Sequence, residues 1–418
     1  MKILNLYKYP GNFLLLIILA LLFGTACKKK KDDPSTPDKQ TLMTINFQGD
    51  FINPKLKAIV FVSDMAGIPL ADTTITGNPS VVLYAKTVAT PPYQVTIVKW
   101  EPDMHNFLVT MMTYQYVMPG EWTIHGKRRV SAGDVAISLK NIPPHTGPIL
   151  YSGSGHSNHT FATSGTFPLY KSPDELYIRI NTASGPMFKW TYGLSVGANI
   201  DVDLSSMDKA EKNTITLPFM AQDFNARVYG YHDTDYTSAL PVMTDEVLGN
   251  GTSVDKVVVS YPADDFISFQ TRLEMIESWT SLLTYSYTRD GTIPESFVKT
   301  GAEITDIQTT GNKVGFKTTG SFTVTAATWT FLDAGNLAFE WTVYGPDTIS
   351  SVTLPALPGA LTNMFPTLSL DSLHLKHIEL TDHQDISSYP AYLHAIFNPA
   401  SPGRGSHLQA SGVKIRLD

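Results

Sequence analysis

Residues Ala198–Leu204 read ANIDVDL, in which apolar and polar side chains alternate. Successive side chains of a β-strand point to opposite faces, so this alternation predicts a strand with one buried and one solvated face. Similar runs of β-branched and aromatic residues recur at Lys57–Val62 (KAIVFV), Tyr93–Val98 (YQVTIV), Lys256–Tyr261 (KVVVSY) and Ser321–Phe331 (SFTVTAATWTF). Turn-forming pairs such as Asn250-Gly251 and Asp290-Gly291 separate such runs. The sequence therefore predicts an all-β protein.

The composition is that of a folded protein large enough for several domains. The 418 residues are 43% hydrophobic and 17% charged, which excludes a disordered chain. The net charge is −7, so no basic field favours nucleic acid as a partner. Helical signals are scarce: Ser205–Lys212 (SSMDKAEK) predicts one short helix with a serine cap, and Asp382–Phe397 predicts another turn or two.

The N-terminal sequence predicts an export signal. Phe13–Phe23 (FLLLIILALLF) is an uninterrupted apolar run, shorter than the about 20 residues that a membrane-spanning helix needs. The residues that follow, Gly24-Thr25-Ala26-Cys27, resemble the lipobox of bacterial diacylglyceryl-modified lipoproteins, with Gly24 where that family has a large aliphatic residue. The resemblance implies cleavage before Cys27, the only cysteine, and a diacylglycerol on its sulfur. The alternative is a plain signal peptide that ends at a cysteine by chance.

The segment after Cys27 predicts a tether. Lys28–Lys39 (KKKKDDPSTPDK) is charged, contains prolines and lacks apolar periodicity, so we expect it to be disordered. In the lipoprotein family, an aspartate directly after the cysteine favours retention at the inner membrane. Lys28 stands there instead, which by the same resemblance implies a lipid-anchored protein of the outer membrane. Whether it faces the periplasm or the cell surface stays open.

Several short motifs occur twice, in the same order. Ala58–Phe61 resembles Ala226–Tyr229, and Thr113–Tyr116 resembles Thr284–Tyr287. The other pairs are Gly133–Val135 with Ala302–Ile304, Phe188–Gly193 with Phe339–Gly345, and Thr216–Pro218 with Thr353–Pro355. The shared order predicts a tandem duplication, with copy one at about 41–220 and copy two at about 221–418.

The predicted organisation has six parts. Residues 1–26 are the signal peptide and 27–40 the disordered tether. Four β modules follow, at 41–128, 129–220, 221–295 and 296–418, where the third repeats the first and the fourth repeats the second. We expect tandem β-sandwich domains, immunoglobulin-like or prealbumin-like.

The start of the first module has a family resemblance of its own. Ala58–Thr73 (AIVFVSDMAGIPLADT) is similar to the opening of carboxypeptidase-regulatory-like β-sandwiches. That family's later Thr-Asp-x-x-Gly-x-Phe signature is missing. The resemblance implies a prealbumin-like sandwich for this module and says nothing about its ligand.

No residue set predicts a catalytic site, a cofactor or a metal centre. Ser152 and Ser154 lack the Gly-x-Ser-x-Gly order of a nucleophile loop. Asp201 and Asp203 share one face of the alternating strand, which is more typical of a solvated face than of a cation site.

The histidines also favour structural roles. His156 and His159 lie in a glycine- and serine-rich loop without an obvious third ligand, so a polar loop is favoured over a metal site. His374, His377 and His383, with Asp382, form the densest cluster of ligand-type side chains. In a strand, 374 and 377 point to opposite faces, so the cluster does not predict one ion site.

The tryptophans are the candidate ligand contacts, because exposed Trp and Tyr rings stack on sugar rings in glycan-binding modules. Trp190 and Trp341 occupy equivalent positions of the repeat, which favours core packing for both. Trp100 stands before Glu101-Pro102-Asp103 at a predicted loop and is the one residue predicted to bind a ligand.

These features predict a lipid-anchored cell-envelope protein with a non-catalytic role in ligand binding or adhesion. Its partners would be the membrane, through the N-terminal lipid, and either a glycan or another envelope protein. One alternative is a surface glycan-binding component of a polysaccharide-uptake system. A second is a hydrolase with accessory β-sandwich domains, which would need a concave site with paired carboxylates or a metal.

Overall fold

The computed structural model describes residues 39–49, 51–52, 56–85, 87–102, 107–126, 131–154, 156–233, 239–247, 253–263, 265–278, 280–335, 337–398 and 409–417. Contacts divide the chain into two units, Met1–Lys39 and Gln40–Asp418. The strands and helices belong to the second unit. Cys27, the predicted signal peptide and the predicted tether up to Asp38 lie outside the described residues.

The chain is nearly all β, as predicted. Strands make up 64% of the described residues and helices 5%. The strands form large sandwich-like sheets. The strands of the first half are β1 (Thr41–Gly49), β2 (Lys57–Ser63), β3 (Pro69–Thr76), β4 (Ser80–Tyr84), β5 (Tyr93–Pro102), β6 (Phe107–Val117), β7 (Gly120–Gly126), β8 (Gly133–Lys140), β9 (His145–Gly153), β10 (Ser157–Thr160), β11 (Ser164–Leu169), β12 (Asp174–Thr182), β13 (Gly185–Leu194), β14 (Asn199–Asp203) and β15 (Asp208–Lys209).

The remaining strands lie between residues 211 and 416. They are β16 (Glu211–Ala221), β17 (Asp223–Tyr231), β18 (Ala239–Val247), β19 (Val254–Tyr261), β20 (Ser268–Ile276), β21 (Leu283–Gly291), β22 (Glu303–Thr310), β23 (Lys313–Thr319), β24 (Val324–Leu332), β25 (Leu337–Pro346), β26 (Ser351–Thr353), β27 (His374–His383) and β28 (Ala410–Arg416).

Helices are few. They are α1 (Gly359–Met364), a 3-10 turn at Leu370–Ser372, and α2 (Tyr389–Phe397), which lies within the segment where a turn or two was predicted. The Ser388 side chain caps α2 by accepting a hydrogen bond from the Ala391 amide. No helix in the described ranges is long and apolar enough to cross a membrane.

The helix predicted at Ser205–Lys212 is wrong. Its middle forms the short strand β15, which pairs with Met187 and Phe188 of β13. The amide of Ser205 donates to the Asp203 carboxylate at 2.8 Å, so this serine sits in a turn instead of capping a helix. Pairing with a strand distant in sequence overrides a local helical preference.

One long sheet organises the molecule. Its twelve strands run in the order β18-β17-β20-β21-β28-β27-β24-β25-β6-β5-β2-β3. Neighbours are antiparallel except β25 and β6, which pair in parallel from Leu337–Phe107 to Tyr344–Tyr114. This parallel seam joins the N-terminal strands of the sheet to its C-terminal strands.

The N-terminal end of the sheet is buried on both faces. Ile59 and Phe61 of β2 face the main core, whereas Val60 and Val62 belong to a second core. This two-sided burial explains why β2 is apolar at successive positions instead of alternating. The second core is covered by the sheet β4-β1-β7 and by α2, whose Phe397 stacks on Trp122 at 4.0 Å.

The main core lies on the opposite face of the long sheet. Its largest fully buried side chains include Trp329 and Trp341. The sheets β16-β19 and β22-β23-β26 supply the second layer, through residues such as Val257 and Val352. The segment with β8 to β15 forms the sheets β10-β9-β12-β13-β15 and β11-β8-β14, which enclose a third core around Ile178.

The duplication and the four module boundaries stay predictions. Strands from 41–128, 221–295 and 296–418 all join the long sheet. Of the repeat motifs, Ala58–Phe61 and Ala226–Tyr229 lie in this sheet, in β2 and β17. Phe188–Gly193 and Phe339–Gly345 lie in different sheets, in β13 and β25.

Candidate ligand-binding surface

The C-terminal half of the long sheet has one polar face. Along β17, Ala226 and Val228 point into the main core, so Asn225 and Arg227 lie on the other face. The polar face extends across the two neighbouring strands. Arg227 stands opposite Arg272 of β20, and Arg272 stands opposite Thr288 of β21. The candidate surface lies here and on the neighbouring five-stranded sheet.

A groove of about 560 Å³ lies on this face and ends at α2. Its chemistry comes from six side chains, which define what we call the sheet groove: Arg227, Arg272, Glu274, Glu379, His383 and Tyr392. Gly412 of β28 gives it depth, because a Cβ atom there would lie 2.6 Å from the Ser286 hydroxyl and 3.4 Å from a Glu379 oxygen. Only glycine leaves this space open to the Glu379 carboxyl.

Burial raises one pKa value in the sheet groove and lowers another. It raises the pKa of Glu379, against the opposing effect of nearby Lys414. It lowers the pKa of His383 to about 4, because the charged imidazolium is poorly solvated there. The His383 ring stacks on Tyr392 at 5.0 Å, and its Nδ1 has no hydrogen-bond partner among the described residues. For both groups, burial disfavours the charged form.

A second groove, of about 730 Å³, separates the five-stranded sheet from β17 and β18. We call it the cationic groove and define it by Arg179, Arg227, His159 and Tyr229, which line it. His159 of β10 bridges it, with Nε2 at 2.6 Å from the Thr244 hydroxyl of β18. Arg227 lines both grooves, so they meet at this residue.

An aromatic platform lies on the edge of the same five-stranded sheet. Trp190 and Tyr192, two residues apart on β13, share one face, and their rings stack at 5.7 Å with planes 14° apart. Tyr192 is 61% exposed. We call this pair the aromatic platform.

The platform is fixed from beneath by packing and one hydrogen bond. The Trp190 indole donates to the Asp265 carboxylate at 2.8 Å and lies 5.0 Å from the Tyr177 ring. Phe266 also supports it, and a Cβ atom at Gly230 would come within 2.5 Å of the Phe266 ring. The exposed tyrosine is therefore held by a partly buried, hydrogen-bonded tryptophan.

Polar groups border the platform. His232 lies 3.6 Å from the Glu175 carboxylate, and Lys171 lies 3.4 Å from it. The Trp190 ring is 6.1 Å from the His232 ring. An apolar ring face beside hydrogen-bonding groups suits a ligand that has both apolar and polar surfaces.

The predicted ligand contact, Trp100, lies near the end of β5. It is partly buried against the main core, and its ring meets Phe365 edge-on at 5.8 Å. Its role in ligand binding stays a prediction. Trp341 is fully buried, whereas Trp190 is only partly buried. Cys27 lies outside the described residues.

The histidines of the sequence motifs do not converge. His156 packs against Phe167 at 5.5 Å, where burial lowers its pKa, and His159 contacts Thr244. Within the described ranges, no group of three or more His, Cys, Asp or Glu side chains is arranged to hold a metal ion.

The serine and aspartate motifs have local partners. The Ser154 hydroxyl donates to the Asp174 carboxylate at 2.8 Å, which also accepts the Tyr170 amide. Asp201 pairs with Lys140 at 3.4 Å, and Asn141 donates to Asp203 at 3.1 Å. These contacts stabilise loops and strand ends.

Sequence reasoning missed Tyr192 and the arginines of the grooves. The signal for Tyr192 was present, because Trp190-Thr191-Tyr192 in a strand places two aromatic rings on one face. Nothing in the sequence signals the Arg227–Arg272 pair, since it depends on the register of β17 against β20.

No protein-family model matches the chain, and no curated protein matches it significantly.

Proposed function

We propose that the chain is a lipid-anchored protein of the cell envelope, held at the outer membrane through Cys27, that binds a glycan without cleaving it. The aromatic platform carries the glycan part of this proposal. The lipobox-like residues Gly24–Cys27 carry the anchoring part.

The platform suits a sugar for physical reasons. A pyranose has apolar C–H faces and polar hydroxyl edges, so it gains from an exposed ring flanked by hydrogen-bonding groups. Tyr192 offers the ring, and Glu175 and His232 lie on the neighbouring surface. Because Trp190 is anchored by Asp265, little conformational freedom is lost when a sugar binds.

Replacing Tyr192 with alanine tests the glycan part. We expect binding to weaken about three- to tenfold, because the stacked ring is lost while Trp190 stays in place. Electrophoresis through gels that contain neutral or acidic polysaccharides measures the affinity. Phe161→Ala is the matched control, since Phe161 is 74% exposed and has no place in the platform.

Two outcomes would contradict the proposal. Equal retardation of Tyr192→Ala and the wild type removes the platform from glycan binding. If no polysaccharide retards the wild-type protein, an envelope protein becomes the favoured ligand and the role becomes adhesion or assembly.

A hydrolase is the second candidate, and the environment of Glu379 is the observation that favours it. A carboxyl group with a raised pKa suits general acid catalysis, and Glu274 lies in the same groove, 3.9 Å from Lys414. Our proposal expects no new reducing ends after incubation with a bound polysaccharide. Their release by the wild type and not by Glu379→Gln would establish hydrolysis instead.

The anchoring part predicts that Cys27→Ala leaves the membrane fraction. One residue with two or three acyl chains holds a protein essentially permanently, at about 0.8 kcal/mol for each buried CH₂. Fractionation of cells that express each form measures this, and protease treatment of intact cells separates surface from periplasmic orientation. A variant that stays in the membrane as firmly as the wild type would refute lipid anchoring.

A further inference from the structure

We propose that the sheet groove is a second glycan-binding site, which takes a segment of a neutral polysaccharide. This inference rests on the proposed function and deepens it by assigning a class of glycan and a second place of contact. The sheet groove lies on the long sheet, whereas the aromatic platform lies on the five-stranded sheet, so substitutions can test the two sites separately.

The depth of the sheet groove comes from the short side chains along its floor. Ser286 stands opposite Gly412 in the register of β21 and β28, and Thr288 stands opposite Ala410. The strands on either side, β20 and β27, contribute arginine, glutamate and histidine side chains to the same face. A trough therefore forms between the longer side chains, and its volume of about 560 Å³ lies within the range of small-molecule sites.

Arg272 forms one wall of the sheet groove and is held in place by its neighbours. Its Nε donates to the Gln270 amide oxygen at 2.6 Å, and the Gln270 amide nitrogen donates to the Asp290 carboxylate at 2.8 Å. The guanidinium also lies over the Tyr229 ring, 5.1 Å from its centre. A side chain that is oriented in this way loses little conformational freedom when it binds a ligand.

Charges of both signs lie in the sheet groove and at its border. Glu274 lies two residues from Arg272 on the same face of β20, and its carboxylate is 3.9 Å from Lys414 Nζ. Glu379 stands opposite Lys414 in the register of β27 and β28. A polyanion would meet the two glutamates, and a polycation would meet Arg272 and Lys414. This arrangement favours a ligand without net charge.

Sugar hydroxyl groups match this lining because each one can both donate and accept a hydrogen bond. Arg272 donates, Glu274 accepts, and the serine and threonine hydroxyls of the floor do both. The Glu379 carboxyl accepts when ionised and can donate when protonated, so it can bind a hydroxyl in either form. Tyr392 and Ile396 of α2 add an apolar wall, which suits the C–H face of a pyranose.

Two substitutions in the sheet groove test the inference against a control outside it. Gly412→Ala places a methyl group in the trough, 2.6 Å from the present position of the Ser286 hydroxyl, and Arg272→Gln removes a charged donor from the wall. Arg289→Gln is the matched control, because Arg289 is exposed on β21 and follows Thr288, so it points to the opposite face of the sheet. Thermal unfolding of each variant confirms that it is folded.

Electrophoresis through gels that contain dextran, galactomannan, xylan or acidic polygalacturonate measures binding. We expect at least one neutral polysaccharide to retard the wild type, and this retardation should change little as salt rises, because no net charge is recognised. Arg272→Gln should bind about tenfold more weakly, since a charge-assisted hydrogen bond is lost, whereas Arg289→Gln should match the wild type. Gly412→Ala should also weaken binding, and if it does not fold, Arg272→Gln decides the test.

Three outcomes overturn the inference. If the folded groove variants bind neutral polysaccharide as tightly as the wild type while Tyr192→Ala does not, the groove is not a site and the proposed function stands. Binding of polygalacturonate alone refutes a neutral ligand and leaves glycan binding standing. If the wild type binds none of the polysaccharides, both the inference and the proposed glycan ligand fail.

Discussion

Trp341→Ala is expected to lower the free energy of unfolding by about 3–5 kcal/mol, the range for removing a large aromatic side chain from a packed core. Trp341 is fully buried, on β25. Its indole donates to the Thr113 hydroxyl of β6 at 2.8 Å, across the parallel seam of the long sheet. The substitution removes core contacts and a hydrogen bond between strands that lie far apart in the sequence.

Urea unfolding followed by circular dichroism measures this effect. Leu332→Ala is the matched control, because Leu332 is 60% exposed at the end of the adjacent strand β24 and should change stability by no more than about 0.5 kcal/mol. If Trp341→Ala does not fold, Trp341→Phe should fold and show a smaller loss, since it keeps part of the ring packing. A Trp341→Phe protein as stable as the wild type would contradict the role assigned to the seam.

The second large effect is a pH dependence that originates at His383. Burial lowers the pKa of His383 in the folded protein to about 4, below the about 6.5 of an unfolded histidine. The unfolded chain therefore binds more protons than the folded chain between these two values. The stability that His383 confers is fully present above pH 6.5 and is lost as the pH falls towards 4.

His383→Phe should remove this loss and keep the ring stacked on Tyr392. Because His383 is only partly buried, we expect the variant to gain about 1–3 kcal/mol relative to the wild type between pH 7.5 and pH 4. The raised pKa of Glu379 acts in the opposite direction, since protonation on acidification favours the folded state, but Glu379 is present in both proteins.

Urea titrations at pH 7.5, 5.5 and 4 measure this relative gain. His374→Phe is the matched control, because His374 is exposed on the same strand, β27. Parallel pH profiles for His383→Phe and the wild type would show that His383 is solvated in the folded protein.

Local patterns predicted the fold class well. The alternation in ANIDVDL corresponds to β14, in which Val202 is buried and both aspartates are exposed. The continuous apolar run of KAIVFV corresponds to β2, which is buried on both faces. These patterns succeeded because side-chain periodicity directly reflects which strand faces are removed from water.

The candidate site was much less accessible to sequence reasoning. Trp100, predicted from its place beside a loop, is partly buried with its ring edge-on to Phe365, and its role in binding stays a prediction. Tyr192 was overlooked, although its spacing from Trp190 follows the strand period. The cationic groove draws Arg179 and Arg227 from strands in two different sheets, and no local pattern joins such residues.

The sequence by itself determined the all-β class and the positions of many strands, because these depend on periodicity and turn residues within a few positions. Tertiary structure decided the twelve-stranded sheet, the parallel seam at Trp341 and the strand at Asp208–Lys209. It also placed Arg227 opposite Arg272 and His383 beneath α2. Each of these depends on pairing or burial between separate segments of the chain, whose free energies no single local run of residues encodes.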